Sequence, residues 1–402
     1  MDLTVVIVNY RVRYFLEQTL RSVMEAVQGL AAEVIVIDNA SGDGSLEFVR
    51  ERLPECVYVE NRENVGFARA NNIGIRMARG EYTLILNPDT IICKRVIDDC
   101  LEWMRTHERC SAIGAHMVDG NGVFLPESKR AFTTPWVSFC KIFGLSSLFP
   151  RSRWFAKYHL RYLSEDEPHQ VDVLSGAFMF CRTSLLQQVD GLDEDFFMYG
   201  EDIDLSYRLL KKGFQNWYLP THILHYKGES THKSSFRYVH VFYEAMLIFF
   251  RKHYGHMSFV VTLPIKAAIY GKATLELIGM VPSLIRDALG LRIRRHVKFP
   301  EYIFFGREHA INKCRRLARN KGVSAQFVVG DEQSIPNGHL DHLDLIQPGQ
   351  TTYVVYDTDS FSYDSIFRIF SSRPMDNVYI GTYHPKDNLV ITDKEVLKNG
   401  NY

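Results

Sequence analysis

Three short apolar runs, each closed by polar side chains and separated by helical periodicity, limit what this chain can fold into more than any other feature. Leu3 to Val8, Glu33 to Ile37 and Tyr82 to Leu86 are rich in Val, Ile and Leu and too short for helices, which is how strands covered on both faces read. After the first, Phe15 to Val27 puts apolar residues at 15, 16, 20, 23, 24 and 27, a helical spacing. Before the third, Phe67, Ala70, Ile73, Gly74 and Met77 form one helical stripe, with Gly80 placed to stop it. This alternation predicts βαβαβ order, right-handed crossovers and a doubly wound, mostly parallel, Rossmann-like α/β sheet.

In such a sheet, ligands sit outside the carboxyl ends of the strands. The three runs end in Asn9-Tyr10, Asp38-Asn39 and Asn87-Pro88-Asp89. Any one of these is an ordinary turn former; three on neighbouring strands would share one edge and one crevice. Asp38 at a strand end can accept from the imide N–H of uracil or thymine, while Ser41 or Asp43 beyond it can simply cap the helix around Leu46 to Arg50. Asn64-Val65-Gly66-Phe67 opens the Phe67 helix, so its backbone N–H groups can face a ligand, with Asn71 one turn in; Asn64 reads equally as a cap. A carboxylate held by proline, Asp89, suits a hard divalent cation on a diphosphate, because Mg²⁺ takes most of its shell from phosphate and water. The plainer alternative there is an Asx turn.

Further along, Glu201-Asp202, with Asp204 beyond, begins a helix next to Gly200. That pattern is good capping, and it also suits a general base on an incoming hydroxyl. His225, after the strand expected over Asn216 to Leu219, is either a second metal ligand or a core histidine. From about 95 to 170 the pattern loosens. The stretch 236–290 is helical and hydrophobic and runs into Arg292, Arg294, Arg295, His296 and Lys298, which reads either as membrane docking on an anionic leaflet or as packing between domains. Pro300 begins a small unit: a strand at Tyr302 to Phe305, a helix at Glu308 to Lys321, further strands near 326, 352 and 377, then a polar tail.

The 402 residues carry 47 basic and 47 acidic side chains, and this zero net charge argues against nucleic acid as a partner of the whole chain. Seven cysteines, odd in number and without a CxxC pair, read as reduced thiols. MDLTVVIVNYRV has no leader, and no run reaches the ~18 apolar residues of a spanning helix. The expected location is therefore cytoplasmic, with peripheral contact at the inner face of the cytoplasmic membrane.

Taken together and in order, VVIVNY (5–10), EVIVIDNASGDGS (33–45), ENVGFARANNIG (63–74), GEYTLILNPDT (80–90), VLSGAFMFCR (173–182), GLDEDFFMYGEDIDLSYRLLKKGF (191–214) and HILHYKGEST (222–231) resemble the family 2 inverting glycosyltransferases. The branch is the one that includes rhamnosyltransferases of bacterial surface polysaccharide assembly. The resemblance implies a GT-A fold, the nucleotide-diphospho-sugar transferase fold, over 1–250, followed by a helical segment, 251–298, and a small α/β domain, 299–402. It also implies a nucleotide-sugar donor (a dTDP- or UDP-sugar, dTDP-rhamnose among them), a saccharide or lipid-linked acceptor, and Mg²⁺ or Mn²⁺. By position, Asp38 would meet the base, and Asn9, Tyr10, Asn39, Ser41, Asn64, Gly66, Phe67, Asn71 and Asn87 the nucleotide. Asp89 and His225 would hold the metal, Ser175 and Gly176 would shape the sugar and acceptor pocket, and Asp202 would be the base with Glu201 in support. The usual Asp-x-Asp metal motif is Asn-Pro-Asp here, leaving one carboxylate, and a Gln-x-x-Arg-Trp motif of processive synthases is missing. Two alternatives are a silent sugar-nucleotide-binding scaffold and a nucleotidyltransferase. The latter wants a glycine-rich loop, and Val8-Asn9-Tyr10-Arg11 has no glycine.

Overall fold

The computed structural model describes residues 1–132, 144–226, 236–254 and 299–398, with positions 134, 136, 137, 140, 263, 267, 270, 271 and 274 between them. The expected docking segment 251–298 and its basic cluster lie almost wholly outside the described residues.

The first sheet has nine strands: β1 Leu3–Asn9, β2 Ala32–Asp38, β3 Val57–Glu60, β4 Tyr82–Leu86, β5 Thr90–Ile91, β6 Cys110–Val118, β7 His169–Val171, β8 Phe178–Arg182 and β9 Gln215–His225. Their order is β3-β2-β1-β4-β8-β6-β9-β5, with β7 also on β9. β3, β2, β1 and β4 are parallel; β8 runs against β4 and β6, and β9 is parallel to β6. The helices are α1 Arg13–Ala26, α2 Ser45–Arg52, α3 Phe67–Met77, α4 Lys94–Thr106, the single turn α5 Leu145–Leu148, α6 Thr183–Gln188, α7 Glu201–Lys211 and α8 Phe236–Tyr254.

Strand alternation divides the core as two covered faces require. Leu3, Val5 and Ile7 of β1 and Leu84 and Leu86 of β4 join α1 and α4, whereas Val8 and Ile37 face Ala70 of α3, and Ile85 faces Ile75 of α3 and Leu205 of α7. Gly74 lets α3 approach β1: a Cβ there would stand 2.4 Å from Val6 Cγ1. β1, β2 and β4, with the helices α1 and α3, therefore match the periodicity.

The loosened region hides β6, whose nine residues are all buried. Ser111, Gly114 and His116 dilute its β-branched signal, and its burial comes from pairing with β8 and β9.

The second sheet, β10 Glu301–Gly306, β11 Ser324–Val329, β12 Thr352–Asp357, β13 Val378–His384, β14 Leu389–Ile391 and β15 Val396–Lys398, has the order β11-β10-β12-β13-β14-β15, with α9 Glu308–Lys321 and α10 Tyr363–Ser372. The tail expected to be polar is corrected: β14 and β15 add antiparallel strands to β13, and Val390 is fully buried. This sheet docks on the far edge of the first. Ile91, Leu224 and Tyr226 share one cluster with Ile303, Val354 and Phe367, while Gln18 Nε2 donates to Thr382 Oγ1 at 2.5 Å and Ile380 N to Gly120 O at 2.6 Å.

Candidate active site

Parallel register sets the first part of the site. Asn9 pairs with Asp38 at the ends of β1 and β2. Both are buried, and Asn9 Nδ2 donates to Asp38 Oδ1 at 2.6 Å and to Ser45 Oγ at 2.7 Å. Ser41 N donates to Asp38 Oδ2 at 3.0 Å. Each carboxylate oxygen thus already holds one donor and keeps a second lone-pair site. Asn9 Oδ1 has no partner. Ser41 Oγ accepts from the backbone N of Arg11, whose side chain lies over the Tyr10 ring. The alternative capping role falls in part to Asp43, whose Oδ1 accepts from Ser45 N at the start of α2.

The N-terminus of α3 is more committed than the sequence suggests. Val65 N donates to Asn39 Oδ1 at 3.1 Å, Gly66 N to Asn64 Oδ1 at 3.0 Å and Phe67 N to Phe197 O at 2.7 Å, so the amides expected to face a ligand bind the protein itself. Gly66 has φ +88°, and a Cβ there would stand 2.6 Å from Phe197 O; only glycine permits this seam between α3 and the loop before α7. Asn71 is fully buried, donates to Phe67 O at 2.9 Å and leaves Oδ1 unpartnered.

A strand pair that the sequence does not announce unites the next two residues. β5 lies antiparallel to β9 with Thr90 opposite His225, so the chain after Pro88 returns alongside the end of β9. Asp89 and His225, both buried, face each other with Oδ1 and Nε2 3.3 Å apart, and Asn87 Nδ2 is 3.5 Å from the same Nε2. Thr19 Oγ1 of α1 braces the turn by donating to Pro88 O at 2.8 Å. His225 Nδ1 is buried without a partner. A carboxylate and an imidazole with one ring nitrogen unengaged fit a cation that draws the rest of its shell from diphosphate and water. Among the described residues no three His, Cys, Asp or Glu side chains cluster as a full protein cage.

The helix that opens with Glu201-Asp202 follows Tyr199 at φ +69° and Gly200 at φ +87°. Among the described residues, three of the six non-glycine residues at positive φ, Arg11, Ala40 and Tyr199, lie within two positions of expected site residues, a concentration of backbone strain common at functional sites. Asp202 Oδ2 accepts from Arg130 Nη2 at 2.5 Å and from Gly176 N at 3.2 Å, and Oδ1 accepts from Ile203 N at 2.8 Å. Burial works against the Arg130 charge, but Asp202 and Tyr158 outweigh it and raise the guanidinium pKa. Glu201 is buried with Oε2 unpartnered, and burial together with the adjacent Asp202 charge pushes it up to about 8. Asp204 instead braces the fold, pairing with His253 of α8 at 2.7 Å and with Arg208 at 2.6 Å.

These groups form one connected rim. Asn39 Nδ2 donates to Asn64 Oδ1 at 2.9 Å, linking Asp38 to the start of α3. Phe67 then lies 3.7 Å from where a Cβ of Gly176 would be, and that same point is 3.4 Å from Asp202 Cβ. Asn87 N donates to Ala177 O at 3.0 Å, which joins the Asp89 turn to the Ser175-Gly176 loop; Ser175 Oγ accepts from Ala177 N. Arg130 is the residue that sequence reasoning missed: it sits in an irregular segment with no periodicity around it.

The sequence profile of Glycosyl transferase family 2 matches residues 4–189, which span β1 to the end of α6 and the turn after it. Rhamnosyltransferase WbbL of Escherichia coli K12 is 30% identical over 193 residues, 43% of this chain and 70% of that protein. The chain belongs to glycosyltransferase family 2. N-acetylglucosaminyl-diphospho-decaprenol L-rhamnosyltransferase of Mycobacterium tuberculosis is 29% identical over 312 residues, 74% of this chain and 98% of that protein. Among solved structures, the mannosyltransferase PcManGT of Pyrobaculum calidifontis, in complex with GDP-Man and Mn²⁺, superposes with TM-score 0.43 at 17% identity over 73% of this chain and 81% of its own. The glycosyltransferase has a mixed, largely parallel α/β sheet followed by a second, C-terminal sheet. Among the described residues no helix is long and apolar enough to cross a membrane.

Proposed function

We propose that this glycosyltransferase moves a single sugar from a pyrimidine nucleoside-diphosphate donor (a dTDP- or UDP-sugar, dTDP-rhamnose foremost) to a saccharide or lipid-linked acceptor, in cell-surface polysaccharide assembly. The observation that carries this reading is the contiguous rim from Asp38 through Asn39, Phe67 and Gly176 to Asp202, joined by hydrogen bonds and by the close approach of Phe67 to Gly176, with the Asp89–His225 pair attached through Asn87. Relatives named as rhamnosyltransferases support the sugar, and the diphospho-decaprenol in one of those names supports a lipid-linked acceptor.

In this reading Asp38 reads the base, and Asn9, Tyr10, Asn39, Ser41, Asn64, Gly66, Phe67, Asn71 and Asn87 line the nucleotide. Asp202 takes the acceptor hydroxyl proton on Oδ1, because Arg130 and the Gly176 amide occupy Oδ2 and fix the plane of the carboxylate. The freed oxygen attacks the anomeric carbon from the face opposite the diphosphate, and the bond to the diphosphate breaks with its electron pair on the phosphate oxygen, inverting the configuration. Asp89 and His225 would hold Mg²⁺ or Mn²⁺, which supplies charge neutralisation on the leaving diphosphate. Glu201, protonated, adds no second negative charge beside the base. The transferase unit in this scheme is 1–250, with 299–402 a packing or interaction module.

A thermal-shift screen of UDP-, dTDP- and GDP-sugars, with and without Mn²⁺, tests the donor assignment. Stabilisation by a pyrimidine donor that weakens with chelator is expected; a response to purine donors alone would contradict the role of Asp38.

A further inference from the structure

The surface beside the Arg130–Asp202 pair is at once aromatic and basic. Trp136 (48% exposed), Leu148 (69%), Phe149 (46%) and Trp154 (76%) project into solvent from one stretch of chain. They form one face: Trp136 Nε1 donates to Trp154 O at 3.2 Å, and the Phe155 ring lies 6.1 Å from Trp136 and 5.2 Å from Phe149. Between Gly144 and Leu163 there is no acidic residue, while Arg151, Arg153, Lys157 and Arg161 are all exposed, and Arg153 lies over Tyr162. Single exposed hydrophobes are ordinary; two tryptophans, a phenylalanine and a leucine grouped among cations are not.

The base of this face is fixed to the catalytic side of the molecule. Ala131 N donates to Tyr158 O at 3.0 Å, His159 Nδ1 lies 3.2 Å from Pro126 O, and the Tyr158 hydroxyl interacts with the Arg130 guanidinium. The exposed face is therefore tied directly to the arginine that holds Asp202. Aromatic rings with an apolar body and a polar edge settle at the headgroup level of a bilayer, and flanking Lys and Arg meet anionic phosphates there.

We propose that the face built by Trp136, Leu148, Phe149 and Trp154, with Arg151, Arg153, Lys157 and Arg161, docks on an anionic lipid bilayer and turns Asp202 toward an acceptor carried in that bilayer. The charge complementarity and the interfacial aromatics carry the docking; only its purpose rests on the lipid-linked reading of the acceptor.

Flotation of the full chain with vesicles tests this directly. The chain is expected to float with vesicles of phosphatidylcholine doped with phosphatidylglycerol, not with phosphatidylcholine alone, and to be released by added salt. The double variant Leu148→Ser/Trp154→Ala should weaken vesicle binding roughly tenfold or more, and Arg151→Gln/Arg153→Gln roughly tenfold. Both should retain the stabilisation by donor nucleotide that marks an intact fold. Equal flotation of wild type and both variants, flotation on phosphatidylcholine alone, no flotation, or self-association through this face in place of lipid binding would each overturn the proposal. Loss of nucleotide stabilisation with flotation intact would strike the donor reading and leave the docking standing.

Discussion

Two sheets of similar topology meet in this molecule, and their carboxyl edges differ. In each, one strand lies between two parallel neighbours, β2-β1-β4 in the first and β11-β10-β12 in the second. Around the first edge, Asn9 Oδ1, Asn71 Oδ1, Glu201 Oε2 and His225 Nδ1 are buried without partners. At the second, Asp357 accepts from Ser360 Oγ and Asp359 N, Asp331 accepts from Ser334 and faces Arg307, and a Cβ on Gly306 would stand 2.7 Å from Asp357 Cβ. Among the described residues of the second unit, the buried side-chain atoms without a partner, His339 Nε2 and Ser371 Oγ, belong to helical segments and not to strand-ending loops. An unsatisfied buried polar group costs about 1–3 kcal/mol, so the first edge is arranged for something that supplies the missing partners, and the second is closed on itself. Topology makes a crevice available; side chains decide whether it is a site.

The largest effect that would break this contrast is on the rate. Asp202→Asn should cut sugar transfer roughly 10²- to 10⁴-fold while donor nucleotide still stabilises the protein; Asp357→Asn in the second sheet should leave transfer unchanged. A radiolabelled-donor assay on both variants decides it. Next in size, Asp89→Asn or a chelator should cost roughly a hundredfold in transfer, recovered by added Mn²⁺ only in the wild type.

Smaller effects sharpen the picture at the base. Arg130→Met leaves Asp202 without its cation, and since the pair is only 11% and 14% exposed, a stability loss of about 3 kcal/mol is expected in chemical denaturation. The smallest signal is a pH slope. Glu201 has its folded pKa raised from 4.5 to about 8, so the folded state holds the extra proton and stability falls as pH rises through that window. Glu201→Gln should flatten that decline and gain most over the wild type above pH 8; melting temperatures across pH report it.

How much of this was legible follows from where each signal lay. β1, β2 and β4 and their polar ends could be read because continuous apolar runs and helical stripes are local patterns. The association of Asp89 with His225 comes from the family resemblance and not from local pattern, because the two-residue β5 that pairs them carries no periodicity. The Phe67 amide at the start of α3 looks available in sequence and is not, since Phe197, distant in the chain, accepts from it. Arg130 was invisible for the same reason: its role comes from a partner seventy-two positions away. The burial of β6, with glycine, serine and histidine inside it, is likewise set by its neighbours in the sheet.

The claim on which the account rests is that Asp89 and His225, at the open edge of the first sheet, hold a divalent cation together with a nucleoside diphosphate. Electron paramagnetic resonance of Mn²⁺ titrated with dTDP or UDP reads this directly. The account predicts that wild type and Asp357→Asn remove free Mn²⁺ from solution when nucleotide is added, and that Asp89→Asn and His225→Ala do so far less. Binding by Asp89→Asn and His225→Ala indistinguishable from the wild type would contradict it.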